Sequence, residues 1–283
     1  PISNSPLDCF GIINWISPRY LGSYYQFTEE YCVKEPRFNR IVGYRNLTDL
    51  GNRVSRFMLR RTKEEVLPDL PPKTIQNIEF ELSLPEQKLY KSIKLLILSE
   101  IMKLEINKHT LPLIPVKMLR LLQVVSDPRL LGVQDIKSSK LEVLKDLLEP
   151  IIASDEKIIL FTKFAEMAKI LMKELAEHDP LLIAGEVSAK DRQKAVDLFS
   201  TDPKYKIIIS TDAGAYGLNL QAASYIFMYE LPWSIAKYEQ RIGRAHRIGQ
   251  TKPVTVYNLL AKNTIDLYTK SVLYNKQSMS KDI

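Results

Sequence analysis

Lys157-Ile-Ile-Leu-Phe161 is a short, almost wholly apolar run. It is too short for a core helix, and its continuous apolar character fits a strand covered on both faces. Lys206-Ile-Ile-Ile-Ser210 and Tyr225-Ile-Phe-Met-Tyr229 repeat the pattern, and Leu181-Leu-Ile-Ala184 is a shorter version. Helical periods lie around and between them. Leu141, Leu144, Leu147 and Leu148 follow Ser139, which marks a capped start. Met167, Ile170, Leu171 and Leu175 share one face of Ala165 to His178. Ser188-Ala-Lys-Asp191 reads as a capping box with Asp in the Glu position, opening a helix to Phe199. Ile235 to Arg244 reads as helix, Val254 to Leu260 as extended chain, Ile265 to Tyr274 as helix. Strand–helix alternation of this kind builds a doubly wound α/β lobe with a parallel sheet. Its ligands bind beyond the carboxyl ends of the strands, after Phe161, Ser210 and Tyr229.

The chain N-terminal to this lobe has another character. Ile12, Trp15 and Ile16 indicate a helix, Pro18 to Arg40 reads as aromatic-rich and irregular, and Leu47 to Leu59 as helix. Leu67-Pro-Asp-Leu-Pro-Pro-Lys73 is a stiff linker, because consecutive prolines exclude helix. Ile75 to Leu82 alternates like a strand, Pro85 opens a long helix through Leu104, and a further helix covers about Val116 to Val125. The expected division is 1–73, 74–135 as a helical protrusion, and 136–283 as the α/β lobe.

Of 283 residues, 45% are hydrophobic and 26% charged, which excludes wholesale disorder. No run approaches the roughly 18 apolar residues of a membrane span. Cys9 and Cys32 form no Cys-x-x-Cys, and the three histidines lie in unrelated contexts, so no metal site is expected. An intracellular, reducing setting suits two free thiols. The net charge of +7 is uneven: residues 34–63 hold nine basic side chains against Glu35 and Asp49. Such clustering is a footprint for phosphates or a solvated helix face. The opening Pro-Ile-Ser-Asn-Ser-Pro, without an initiator Met, reads as the start of a fragment.

The densest chemistry is Gln240-Arg-Ile-Gly-Arg-Ala-His-Arg-Ile-Gly-Gln250. On a helix, Arg244 and Arg247 would project from one face. Paired guanidiniums suit a polyphosphate, because Arg grips phosphate oxygens bidentately.

This string resembles motif VI of superfamily-two helicases in the Swi/Snf-type variant of double-stranded DNA translocases and chromatin remodellers. Other blocks are similar in order. Ser210-Thr-Asp-Ala-Gly-Ala-Tyr-Gly-Leu-Asn-Leu220 resembles motif V, with Asp212 where the family usually has Lys or Arg. Ile158-Ile-Leu-Phe-Thr-Lys-Phe164 resembles motif IV. Phe57 to Val66 with Leu70-Pro-Pro-Lys73 is similar to the inter-lobe block, and Pro1-Ile2-Ser3-Asn4 to the tail of motif III. The resemblance implies a RecA-like C-terminal lobe preceded by a mostly helical family-specific region. It implies arginine fingers at Arg244 and Arg247, with Gln240, Gly214 and Gly217 near ATP.

For DNA, hydroxyl, ammonium and loop amides at Thr162, Lys163 and Thr211 can bind a phosphate, and capping is the plainer alternative for the threonines. Arg60, Arg61 and Lys63 would contact DNA or dock the lobes. Trp233 would pack or wedge against DNA. None of the ten glycines precedes a Lys, so there is no P-loop, and no Asp-Glu-Ala-His string exists to hold magnesium. The expectation is therefore the C-terminal half of a DNA-dependent ATPase. ATP with Mg²⁺ would be held by a first RecA-like lobe of the same protein, with double-stranded DNA as partner and no hydrolysis by the chain alone. The competing readings are a strand-separating helicase half and a non-enzymatic DNA-binding module.

Overall fold

The aromatic stretch after Pro18 is ordered around one buried cluster. The structure, a computed structural model, describes residues 6–35, 40–59, 61, 65, 67, 69–103, 113–212 and 217–281. Helix α1 (Leu7–Ile16) is followed by α2 (Tyr24–Tyr31), strands β1 (Cys32–Glu35) and β2 (Arg40–Tyr44), and α3 (Leu47–Val54). Cys9, Ile13, Leu21, Phe27, Tyr31, Leu50 and Val54 are buried together, and Phe27 stacks at a tilt on Phe10 and Tyr31. The expectation of irregular chain from Pro18 to Arg40 is corrected. Ser23 and Gln26 form a full capping box that starts α2, and β1 pairs antiparallel with β2, with a bulge after Val33. The helix expected to reach Leu59 stops at Val54.

The second part holds six parallel strands. They are β3 (Lys73–Phe80), β4 (Ile158–Thr162), β5 (Leu181–Ile183), β6 (Ile207–Thr211), β7 (Tyr225–Met228) and β8 (Val254–Ala261), in the order β3-β8-β7-β4-β6-β5. Every residue of β4 and β6 is buried, as their unbroken apolar runs require. Between and beyond the strands run α4 (Leu84–Lys103), α5 (Leu113–Ser126), α6 (Ser139–Ala153), α7 (Ala165–Glu174), α8 (Ala189–Thr201), α9 (Ile235–Ile242) and α10 (Ile265–Lys281). This is the parallel α/β architecture read from the sequence, with a helical region before it.

One face of the sheet is sealed by α6 and α7. Leu144, Leu148, Met167 and Leu171 pack with Leu160, Ile209, Phe227 and Leu259. Burying each such side chain stabilises the fold by roughly 1.5–3 kcal/mol. Ser138 rather than Ser139 caps α6, its Oγ accepting from the Leu141 amide at 3.3 Å. The Ser139 hydroxyl donates instead to Glu86, a fully buried carboxylate that also accepts from the Ser83 amide at 2.9 Å. In the first turn of α6, buried Lys140 donates to Asp266 at 2.6 Å and to the Tyr229 carbonyl at 3.1 Å.

Contacts divide the chain into two compact units: residues 1–68, 233–239 and 271–283, and residues 69–232 with 240–270. In the second unit β4 is central. The chain leaves it for β5 and β6 on one side, then crosses to β7 and β8 on the other. The change of direction falls between β4 and β7, and a crevice outside the carboxyl ends of such strands is where open α/β sheets place ligands.

Candidate functional site

Parallel register brings the carboxyl ends of β4, β6 and β7 together. Thr162 pairs with Thr211, and Phe161 with both Ser210 and Met228. The residues that follow, Lys163, Asp212 and Glu230, therefore converge. Glu230 is fully buried, and its Oε2 accepts from the Thr162 hydroxyl at 2.9 Å and the Lys163 amide at 2.8 Å. These bonds join β4 to β7 across the crossover.

Arg241 ties the same ends from α9. Its Nε donates to Asp212 Oδ1 at 2.8 Å and its Nη1 to the Glu230 carbonyl at 3.0 Å. The guanidinium lies 5.3 Å from the centre of the Phe161 ring, and the side chain is only 3% exposed. A charge this enclosed needs a partner, and Asp212 supplies it.

Gly243 ends the helix, and residues 243–249 are turns. Arg244 and Arg247 are therefore not neighbours on a helix face, which corrects that part of the sequence argument. Their placement comes from lacing to the segment after β6. The Leu220 amide donates to the Arg244 carbonyl at 3.0 Å, and Arg244 Nη1 reaches the Leu218 carbonyl at 3.4 Å. The Gln250 amide nitrogen donates to the carbonyls of Gln221 and Ala223, each at 2.9 Å, and of Ala245 at 3.3 Å. Its oxygen accepts from the amides of Thr251 and Lys252. Gly249 has φ +92°, a conformation that favours glycine, and a Cβ there would lie 3.0 Å from the flexible end of Gln221, which would have to give by a few tenths of an ångström. Buried His246 bonds the Pro71 carbonyl at 2.8 Å, anchoring the proline-rich linker.

Arg247 is half-buried, and its guanidinium makes no hydrogen bond or ion pair with any described residue. A partly exposed guanidinium of this kind, on a turn held in place by its neighbours, fits an anionic ligand such as a polyphosphate. Gln240 is exposed at the end of α9. Gly217 adopts φ +75° with open space around it, so it serves the backbone turn and not close packing. Gly214 lies outside the described residues, as do Arg60, Lys63 and Pro1 to Asn4. Among the described residues no group of three His, Cys, Asp or Glu side chains could hold a metal ion.

The three residues expected to meet DNA phosphates at the strand ends are turned inward. Thr162 is fully buried with its hydroxyl on Glu230, Thr211 is 5% exposed, and the Lys163 ammonium is buried. The threonine hydroxyls are not presented to a ligand because the strand ends close on each other. Arg61 is exposed and Trp233 half-buried. The basic stretch from residue 34 is partly neutralised by acids just outside it: Lys34 pairs with Glu29 at 2.6 Å and Arg53 with Glu30 at 3.6 Å. Arg53 also donates to the Tyr31 hydroxyl at 2.9 Å, within the first unit's core. Burial, with Asp49 accepting from the same hydroxyl, raises the Tyr31 pKa to about 12.

Glu230, Arg241 and Gln250 escaped the sequence reading. Arg241 and Gln250 stand inside the motif, but only the folded contacts assign their work. Glu230 had no local signal at all.

The SNF2-related domain matches residues 1–130, and the Helicase conserved C-terminal domain matches residues 139–249. An uncharacterized ATP-dependent helicase of Mycoplasma genitalium is 31% identical over 99% of this chain, which covers 27% of that protein. The TATA-binding protein-associated factor MOT1 of Saccharomyces cerevisiae is 28% identical over 94% of the chain and 17% of its own length. Among solved structures, the Sulfolobus solfataricus SWI2/SNF2 ATPase core domain matches with a TM-score of 0.65 and 28% identity. That match covers 98% of this chain and 57% of the other. The same core in complex with dsDNA gives 0.65 and 26%, covering 98% and 59%. The chain spans about a quarter of the two bacterial helicases, from Mycoplasma genitalium and Mycoplasma pneumoniae, that it matches almost end to end. By sequence, residues 1–130 belong to the SNF2-related domain family and residues 139–249 to the Helicase conserved C-terminal domain family, and the fold matches that of a SWI2/SNF2 ATPase core.

Proposed function

We propose that this chain is the C-terminal motor half of an ATP-dependent double-stranded DNA translocase. Arg247 carries the reading: its guanidinium is engaged by no described residue, on a turn fixed from both sides at the carboxyl end of the sheet. Arg247 and Arg244 would act as arginine fingers, neutralising charge that develops on the terminal phosphoryl oxygens. ATP with Mg²⁺ supplies the phosphoanhydride, and a first RecA-like lobe of the same protein would hold both. Gln240, Gly214 and Gly217 would border the nucleotide. Arg61, Lys63, Arg60 and Trp233 are the remaining candidates for duplex backbone contact. Thr162, Thr211 and Lys163 would serve as strand-end braces within the second unit. Residues 1–73 would be the end of the first lobe with the inter-lobe block, 74–135 a protrusion, and 136–283 the C-terminal lobe proper.

Support comes from the relatives named as ATP-dependent helicases and from the likeness to an ATPase core bound to dsDNA. The test is ATP hydrolysis on duplex DNA, by the chain alone and by the chain joined to a P-loop-bearing lobe. No turnover alone and DNA-stimulated turnover when joined are expected. A triplex-forming strand should be displaced while the duplex stays paired. Turnover by the isolated chain would refute the half-enzyme reading, and separation of the duplex strands would move the protein to the unwinding class.

A further inference from the structure

Position 212 directly follows the end of β6. Here it is Asp212, and its carboxylate lies 2.8 Å from Arg241 Nε, in the segment that resembles motif VI. The Arg241 side chain is 3% exposed and that of Asp212 27%. No other acidic side chain among the described residues forms an ion pair with Arg241, whose other hydrogen-bonded contacts are the Glu230 carbonyl and the Met228 sulfur. A Lys or Arg at 212 would set two like charges together in a poorly solvated place, where their repulsion is far stronger than in water.

We infer that Asp212 is a positioning residue: as counter-ion of Arg241, it fixes the start of the turn that carries Arg244 and Arg247, and it is not a DNA phosphate contact. The linkage is short and physical. Arg244 donates its amide to the Arg241 carbonyl at 3.1 Å, and the Leu220 amide holds the Arg244 carbonyl at 3.0 Å. The segment after β6 is therefore joined to the arginine-bearing turn at its beginning by Asp212–Arg241, and further along by Leu220 and Gln250. Releasing the first joint frees the backbone from which both arginines project, while the later joints keep the lobe folded. A misplacement of about 1 Å in such a group lowers turnover by roughly a hundredfold.

The part of this inference that concerns turnover rests on the proposed motor reading, so the experiment has two arms. In the 283-residue chain alone, amide hydrogen exchange is compared between wild type, Asp212→Asn and Asp212→Glu. Exchange across 243–250 should accelerate about tenfold or more in Asp212→Asn, recover partly in Asp212→Glu, and stay unchanged in α6 and α7. Unchanged exchange in the turn overturns the inference, whatever the protein's activity. In the chain joined to a P-loop lobe, Asp212→Asn should lower DNA-stimulated kcat by about tenfold to a hundredfold, leaving KM for ATP and duplex affinity within about twofold. Asp212→Lys should lower kcat at least as far, without tightening duplex binding. If Asp212→Lys instead kept wild-type kcat, bound duplex more tightly and steepened the salt slope by about one, the position would be a phosphate contact and the inference would be overturned. If the wild-type joined protein shows no DNA-stimulated hydrolysis, the motor reading fails and the exchange arm still decides the positioning role.

Discussion

The side-chain amide of Gln250 donates to the Ala223 carbonyl at 2.9 Å, closing the turn that carries Arg247 onto the segment leading into β7. The same nitrogen also serves Gln221 and Ala245, so one amide faces three carbonyls. Gln250→Ala should cost about 2–3 kcal/mol, because buried acceptors lose their donor. Gln250→Glu should cost more than Ala despite its closer shape, since it sets a carboxylate oxygen against those carbonyls. Urea unfolding of the three proteins checks the order. A Glu variant as stable as wild type would mean that the donor is not needed.

Lys140 and Asp266 make the most enclosed ion pair among the described residues, with side-chain exposures of 0% and 3%. Removing one partner leaves a buried charge, so Lys140→Met should destabilise the chain by about 3–5 kcal/mol. Lys140→Met combined with Asp266→Asn should recover much of that loss. A double-mutant cycle in denaturant reads the coupling, and additive losses would deny it.

Acid stability should follow Glu174. Lys145 and Arg129, each bonded to it at 2.7 Å, hold its pKa down at about 2, against 4.5 for the free side chain. A carboxylate depressed in the folded state stabilises above its unfolded pKa. That stabilisation is lost as pH falls from about 5 towards 2. Glu174→Gln should be less stable than wild type at pH 7, with the difference shrinking across that window. A pH-independent difference would assign the effect to packing.

The lobe was legible because its strands are buried on both faces, which forces the unbroken apolar runs at Ile158–Phe161 and Ile207–Ile209. The cap at Ser188 was legible for the same local reason, and Asp191 answers it at 3.1 Å. The helix at Tyr24–Tyr31 was missed because aromatic residues crowd both its faces and blur the period, although Ser23 and Gln26 spelled its start. The strand ends misled differently. Thr162 looks like a ligand contact until β7 places Glu230 beside it, and that pairing is set by a crossover 68 residues away in sequence. Part of the charge cluster was not legible as paired, because Glu29 and Glu30, just outside it, fold back onto Lys34 and Arg53.

The central claim is that Arg247 reaches the terminal phosphate in a DNA-driven motor. DNA-stimulated ATP hydrolysis by Arg247→Ala, with this chain joined to a P-loop lobe, tests it most directly. Arginine fingers contribute about 10³–10⁵ in rate, so kcat should fall by about a thousandfold or more. The thermal midpoint should stay within a degree or two, because no described residue depends on that guanidinium. Hydrolysis at the wild-type rate would contradict the account.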